Sequence, residues 1–398
     1  MPAYSGKFQY EDNQGPCQLQ FDQETCIVTP QAGTPIAFDL GDVDRVAPAE
    51  WELELTLYTG RTLMLRQFGA AFGRMRDELM AAWRDRTVCC LLLEDLRETG
   101  RYNGAANGVP AEIRLYRTNL ATLPMAAEPA QVRLADVASL NFDDTTYSIV
   151  LDSPAGKLML SKLARKTDEV LGTLRESLDA LRTHSADVLH REFPFLNPDQ
   201  LQRVLTTMPE GRSAALSSLG SIHPKLPEEI VARAVDERLK PYFEALRGRS
   251  VAGGLMAGFK FVREDEAEEE DGEPAEGEPE KQPLFFWFFF PLAPDGRLVA
   301  WEATTGSGRA TYFFRIPPGD VAAGVATLTR GLALVNFRRE PVYLSDESLE
   351  QQAKYRRYAI GARKLSDLRA LRAAFVGRAL HTSVEAWTAQ VEGIVARH

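Results

Sequence analysis

The chain has 398 residues, 44% of them hydrophobic and 26% charged, with a formal charge of −10. That length exceeds one core of ordinary size, and the composition is that of a folded globular protein, which excludes collagenous, disordered and disulfide-scaffold classes. The acidity is local: Glu264 to Glu280 holds eleven acids in seventeen residues, and removing them leaves 45 acids against 46 bases. The first fifteen residues, MPAYSGKFQYEDNQG, lack the apolar core of a secretory signal. The longest apolar run, 283–293, has eleven residues where a membrane helix needs about 20, so a cytoplasmic chain without a transmembrane segment is expected.

In chain order, the first half is a repeat. LQFDQETCIVTP (19–30) lies over IRLYRTNLATLP (113–124), and LGDVDRV (40–46) over LADVASL (134–140), both at an offset of 94. GRTLMLRQF (60–68) matches GKLMLSKL (156–163) with one residue gained or lost, and Tyr4-Ser5-Gly6 recurs as Tyr102-Asn103-Gly104. Within the first copy, Trp51, Leu53, Leu55 and Leu57 alternate with polar residues and predict a strand. Gly60 then turns the chain into a hairpin partner carrying Leu63 and Leu65. Phe72, Met75, Leu79 and Trp83 follow at helical spacing, as do Val170, Leu174, Leu178 and Leu181 in the second copy. Cys17, Cys26, Cys89 and Cys90 form no CxxC pair; reduced thiols are expected, and a Cys17–Cys26 bridge stays open.

This order of short strands, an L-x-D-V block, a hairpin and a closing helix resembles the pleckstrin-homology-like superfold, including its GRAM branch. The resemblance covers roughly 3–86 and 100–182. It implies two bent antiparallel sandwiches, each closed by a C-terminal helix, that bind lipids, peptides or protein surfaces without catalysis. The loops between the first two strands, YEDNQGPCQ and NGAANGVPA, hold no Lys or Arg, which argues against phosphoinositide binding and leaves protein contact or a structural role.

Residues 183–250 predict a helical connector, with Asn197 capping a helix that begins at Pro198 and Pro227 opening another. Four strands follow: GLMAGFKFV, PLFFWFFFPLA, RLVAWEATT and RATYFFRIP. They predict an antiparallel meander with turns at Pro294-Asp295-Gly296 and Gly306-Ser307-Gly308. The six aromatics Phe285 to Phe290 would alternate between two faces, so both faces need cover, one from a helix of the same domain and one from a neighbouring domain. The acids at 264–282 would loop out as a disordered excursion. Residues 321–337 predict a buried helix. From Lys354 to Arg378 eight bases face one acid, and Leu365, Leu368, Leu371 and Phe375 supply the apolar stripe of a basic helix.

The expected fold class is therefore α+β: PH-like units over 1–97 and 98–182, a helical connector over 183–250, and a C-terminal antiparallel-sheet-plus-helices domain over 251–398. No catalytic spacing, cofactor motif or metal-ligand set stands out, and none is expected. The candidate anion- or partner-binding residues are Lys354, Arg356, Arg357, Arg363, Lys364, Arg369 and Arg372. The preferred function is a non-catalytic scaffold with an unknown protein partner; an acidic loop that rests on the basic helix until displaced is one hypothesis for the two charged elements and stays open. Nucleic acid is disfavoured by the near-neutral remainder. Two alternatives stay open: an enzyme with a site between domains, and a chaperone-like binder of basic proteins. The sequence does not fix the oligomeric state.

Overall fold

In the computed structural model, residues 3–93, 96–261, 284–304 and 310–398 are described. The acidic loop 264–282 and the Gly306-Ser307-Gly308 turn lie outside the described residues. The chain is mixed α+β and divides into two units, one formed by Met1–Leu178 with Ser345–Ser366, the other by Asp179–Leu344 with Asp367–His398.

The first unit begins with seven strands: β1 (Ala3–Tyr10), β2 (Asn13–Phe21), β3 (Thr25–Pro30), β4 (Ile36–Asp39), β5 (Val43–Pro48), β6 (Glu52–Leu57) and β7 (Thr62–Arg66), followed by α1 (Phe72–Cys90). The pattern recurs as β8 (Glu98–Ala106), β9 (Val109–Tyr116), β10 (Asn119–Pro124), β11 (Ala130–Arg133), β12 (Ser139–Asp143), β13 (Ser148–Ser153) and β14 (Gly156–Ser161), followed by α2 (Thr167–Glu192). All pairings are antiparallel, and the strand orders are β4-β3-β2-β1-β7-β6-β5 and β11-β10-β9-β8-β14-β13-β12. The topology repeats strand for strand.

The details repeat for physical reasons. Tyr4 donates its hydroxyl to Glu78 of α1, and Tyr102 donates to Glu169 of α2 at 3.1 Å. Two residues on, a Cβ on Gly6 would sit 2.7 Å from the Phe68 ring, and one on Gly104 would sit 2.9 Å from the Ser161 carbonyl. Glycine is needed at both because the closing segment crosses the first strand directly. The chain leaves the sheet through left-handed residues in both copies, Gln67 (φ 60°) and Lys162 (φ 57°). The core of the first copy gathers Leu19, Val28, Leu53, Leu55, Leu63 and Leu65 under Phe72, Met75 and Leu79. Trp51 does not join them. It precedes β6 rather than lying within it and is 61% exposed. In the second copy β10 is buried on both faces. Beside it on β9, Arg114 reaches Glu112 at 2.6 Å and Asp85 of α1 at 2.7 Å, so α1 serves both sheets.

The second unit holds α3 (Pro198–Thr207), β15 (Ser213–Ala215), α4 (Leu216–Gly220), α5 (Leu226–Ala234), α6 (Lys240–Arg249), β16 (Met256–Phe261), β17 (Leu284–Pro291), β18 (Leu298–Ala303), β19 (Ala310–Arg315), α7 (Val321–Leu334) and α8 (Glu340–Tyr343). Asn197 caps α3 through a full capping box with Gln200. Next come α9 (Asp346–Gln351) and α10 (Arg356–Lys364) of the first unit, then α11 (Ser366–Ala374), β20 (Phe375–Leu380) and α12 (Val384–Val395). The sheet runs β15-β16-β17-β18-β19-β20.

Every residue of β17 is buried. Phe286, Phe288 and Phe290 share a core with Phe243 of α6, Ile230 of α5 and Trp387 of α12. On the opposite face the Trp287 ring meets Phe337, just beyond α7, at 4.0 Å and a tilt of 31°. Both covers come from the same unit. The basic stretch from Lys354 to Arg378 is not one helix: Leu365 is extended (φ −109°, ψ 111°) and ends α10, and Phe375 opens strand β20, which pairs with β19.

Candidate interaction site

The site forms where α10 seats on the first sheet. Between β4 and β5 the chain makes a single 3-10 turn, Leu40–Asp42, capped by the Asp39 carboxylate, which accepts from the Gly41 N–H at 2.7 Å. Leu40 and Val43 are buried and pin the turn to the core, so the acids beside them are held in place. Arg86 of α1 grips Asp39 with two parallel bonds of 2.8 and 2.6 Å and reaches Glu24 at 2.8 Å. Those bonds to Asp39 hold the Arg86 guanidinium still more firmly charged than an ordinary arginine.

Arg356, Ile360, Arg363 and Lys364 fall at i, i+4, i+7 and i+8 on α10 and so share one face. Arg356 donates to the Asp42 carboxylate at 2.6 Å, and Arg363 donates to its other oxygen. Glu350 of α9 lies against both guanidiniums. Lys364 donates to the Val43 carbonyl at 3.1 Å and to Asp44 at 3.0 Å. Arg363 also lies 4.0 Å over the Tyr58 ring. Burial pushes the Asp42 carboxyl up, and Arg356 and Arg363 pull against it.

Apolar contact sets the spacing. Ile360 is fully buried, and a Cβ on Gly41 would come within 2.9 Å of its Cδ1. A Cβ on Gly361 would meet the Cys90 carbonyl at 3.0 Å. The helix is thus admitted by two glycines and oriented by its cations. Five carboxylates (Glu24, Asp39, Asp42, Asp44 and Glu350) face four cations (Arg86, Arg356, Arg363 and Lys364). The arrangement holds the chain's own arginine-bearing helix.

Of the seven candidate residues, Arg356, Arg363 and Lys364 meet at this corner. Lys354 is exposed, its ammonium 4.7 Å over the Tyr355 ring, and Arg357 is exposed, 5.0 Å over Tyr358. Arg369 and Arg372 belong to the second unit, where Arg369 is exposed and Arg372 donates to the carbonyls of Pro341 and Leu344. Sequence reasoning missed Asp39, Asp42, Asp44 and Glu350. The signal was present: the LGDVD block places two acids around a buried valine, and a basic stripe requires countercharge.

The second unit buries a separate polar group. Thr311 donates to Glu302 at 2.7 Å and accepts from the Trp387 indole at 2.9 Å, with His381 Nε2 3.0 Å from its hydroxyl and Tyr242 stacked on the imidazole at 4.1 Å. Thr311 is wholly buried and Glu302 1% exposed. A shallow hollow lined by Gln202, Arg203, Thr206, Thr207, Ser218 and Ile222 has no carboxylate, imidazole or thiol in its walls. Cys17 and Cys26 are free and buried. Among the described residues no His/Cys/Asp/Glu group could hold a metal, and no helix is long and apolar enough to cross a membrane.

No protein-family model matches the chain, and no curated protein matches it significantly. Among solved structures, one titled "Structure of the Spt16D Pob3N heterodimer" is similar over 39% of this chain and 85% of that chain, at 13% identity and a TM-score of 0.18. At that score neither family nor partner follows from the likeness.

Proposed function

We propose that the chain is a non-catalytic interaction protein built on two tandem PH-like modules, the first of which recognises an arginine-rich helix. The repeated strand order with a closing helix after each seventh strand supports the modular reading. One observation carries the recognition reading: Asp42 holds Arg356 and Arg363 together, with Ile360 fully buried between them. The recognition corner is filled here by the chain's own segment.

The experiment uses the full chain carrying Arg356→Glu and Arg363→Glu, in which the resident helix is repelled by Asp42. A fluorescently labelled peptide of residues 345–366 is titrated against this variant and against the unmodified chain. Binding to the variant, weak binding to the unmodified chain, and loss on further changing Asp42→Asn support the proposal. A variant that keeps its fold and shows no binding at about 100 μM, a concentration at which even a weak −5 kcal/mol contact registers, defeats it.

A further inference from the structure

The strand turn that precedes the sixth strand of each module carries an exposed aromatic residue. Trp51 stands immediately before β6 and Tyr147 immediately before β13, and they are 61% and 55% exposed. They occupy the same place in the two copies: Leu53 pairs with Leu65 across β6 and β7, and Ile149 pairs with Leu160 across β13 and β14. A large aromatic left in water is costly, since burying one stabilises a protein by about 2 kcal/mol or more. Tyr147 also adopts a left-handed backbone (φ 50°), which costs a further ~1 kcal/mol for a bulky residue.

Each ring is braced from below by another aromatic. Trp51 lies 6.1 Å from Phe72, and Tyr147 meets Phe142 edge-on at 5.3 Å. Each is also flanked by carboxylates. The first turn reads Glu50-Trp51-Glu52, with Glu52 opposite Arg66 on β7, and the second reads Asp143-Asp144-Thr145-Thr146-Tyr147. Asp143 is fixed in orientation by the N–H of Thr145 at 2.9 Å and the Thr146 hydroxyl at 2.8 Å.

We infer that these two turns are docking points for a lysine- or arginine-rich segment of another protein, with a cation over each ring and its neighbours on the flanking acids. The chemistry is already used within the chain, where Arg363 lies 4.0 Å over the exposed ring of Tyr58 while donating to Asp42. Tryptophan gives the strongest cation–π contact of the three aromatic side chains. The flanking carboxylates repel phosphate, which directs the surface away from nucleic acid and anionic lipid headgroups and towards a basic polypeptide. Neither turn shares a residue with the α10 corner, and the inference does not depend on the reading of that corner.

The test uses the full chain, with octa-arginine as probe and octa-aspartate as control. Trp83, Trp287, Trp301 and Trp387 are all buried, so the exposed indole signal belongs to Trp51. A chain with Trp51→Phe and Tyr147→Trp moves that reporter to the second turn. The expected result is a saturable change in emission at each position with octa-arginine and none with octa-aspartate. Changing Glu50→Gln with Glu52→Gln, or Asp143→Asn with Asp144→Asn, weakens binding at its own turn about fivefold. Raising salt to about 0.5 M, where the screening length falls to a few ångströms, abolishes the change. Because octa-arginine also has the acidic run 264–280 to bind, total binding decides nothing. An emission that stays fixed at both turns while the peptide binds elsewhere, or one indifferent to the carboxylate changes, overturns the inference.

Discussion

Asp42 and Arg356 lie 314 positions apart in sequence, and their side chains meet at 2.6 Å. The Asp42 side chain is 9% exposed and that of Arg356 22%, so the pair is shielded far more than a surface ion pair. Removing Asp42 would leave two partly desolvated guanidiniums with Glu350 and, for Arg356, with Asp39 at 4.0 Å. Asp42→Ala should therefore cost about 3 kcal/mol in urea unfolding of the first unit. A double-mutant cycle with Arg356→Ala should return a coupling of at least about 1 kcal/mol. Strictly additive single effects would mean that the two side chains do not act together.

Two glycines inside helices predict opposite outcomes from the same substitution. Gly172 of α2 has open space where a Cβ would go, so Gly172→Ala should stabilise by about 0.5–1 kcal/mol through helix propensity alone. Gly331 of α7 would place its Cβ 2.7 Å from the Asp367 carbonyl and 2.6 Å from the Leu371 Cβ. There the crossing with α11 has no room, and Gly331→Ala should cost about 1–3 kcal/mol despite the same propensity gain. Thermal unfolding of the two variants would reveal the difference in sign directly.

The repeat was legible because a sheet face that must be filled constrains residues at a period of two. Leu19 and Ile113 therefore recur at a fixed offset, and Leu40 and Leu134 recur because each pins the same 3-10 turn to its core. The buried fate of Phe285 to Phe290 was legible for the same reason: alternation places aromatics on both faces and both must be covered. Trp51 misled because it continues the alternation of Leu53, Leu55 and Leu57 one step past the strand, where periodicity no longer implies burial. The basic stretch misled because Leu365, Leu368, Leu371 and Phe375 satisfy a helical period. Nothing local reveals that Phe375 pairs with Phe314 in a sheet. The LGDVD block offered Asp42 and Asp44 as countercharge, but nothing local pairs them with α10, whose cations are more than 300 residues away.

The buried group around Thr311 makes a third case. Its hydroxyl has one proton, given to Glu302, and accepts from the Trp387 indole. Thr311→Val keeps the shape but leaves a buried carboxylate and a buried indole N–H without this partner. The penalty is that of desolvated, unpaired groups, about 2–4 kcal/mol, well beyond the ~1 kcal/mol net value of one ordinary hydrogen bond. Thr311→Ser, which keeps the hydroxyl, should recover most of it. Equal losses for Val and Ser would show that the methyl packing mattered and the network did not.

The thiols set an alkaline limit on the first unit. Burial pushes Cys17 up to about 11 and Cys90 up to about 12, and raises Cys26 further still, from an ordinary value of 9.0. Folding therefore favours the neutral thiol. This stability is fully present below pH 9, begins to decline as unfolded thiols ionise, and is lost as pH rises through the folded values. At pH 10 each buried thiol should subtract about 1 kcal/mol from the unfolding free energy. Cys26→Ala should flatten the slope of stability against pH between 9 and 11, whatever its cost at neutrality. The same burial governs reactivity, since the thiolate is the nucleophile. At pH 8 an aromatic disulfide reagent should titrate Cys89, the exposed thiol, and reach the other three only on unfolding. Four equivalents released rapidly from the native chain would mean that the first core is open to solvent.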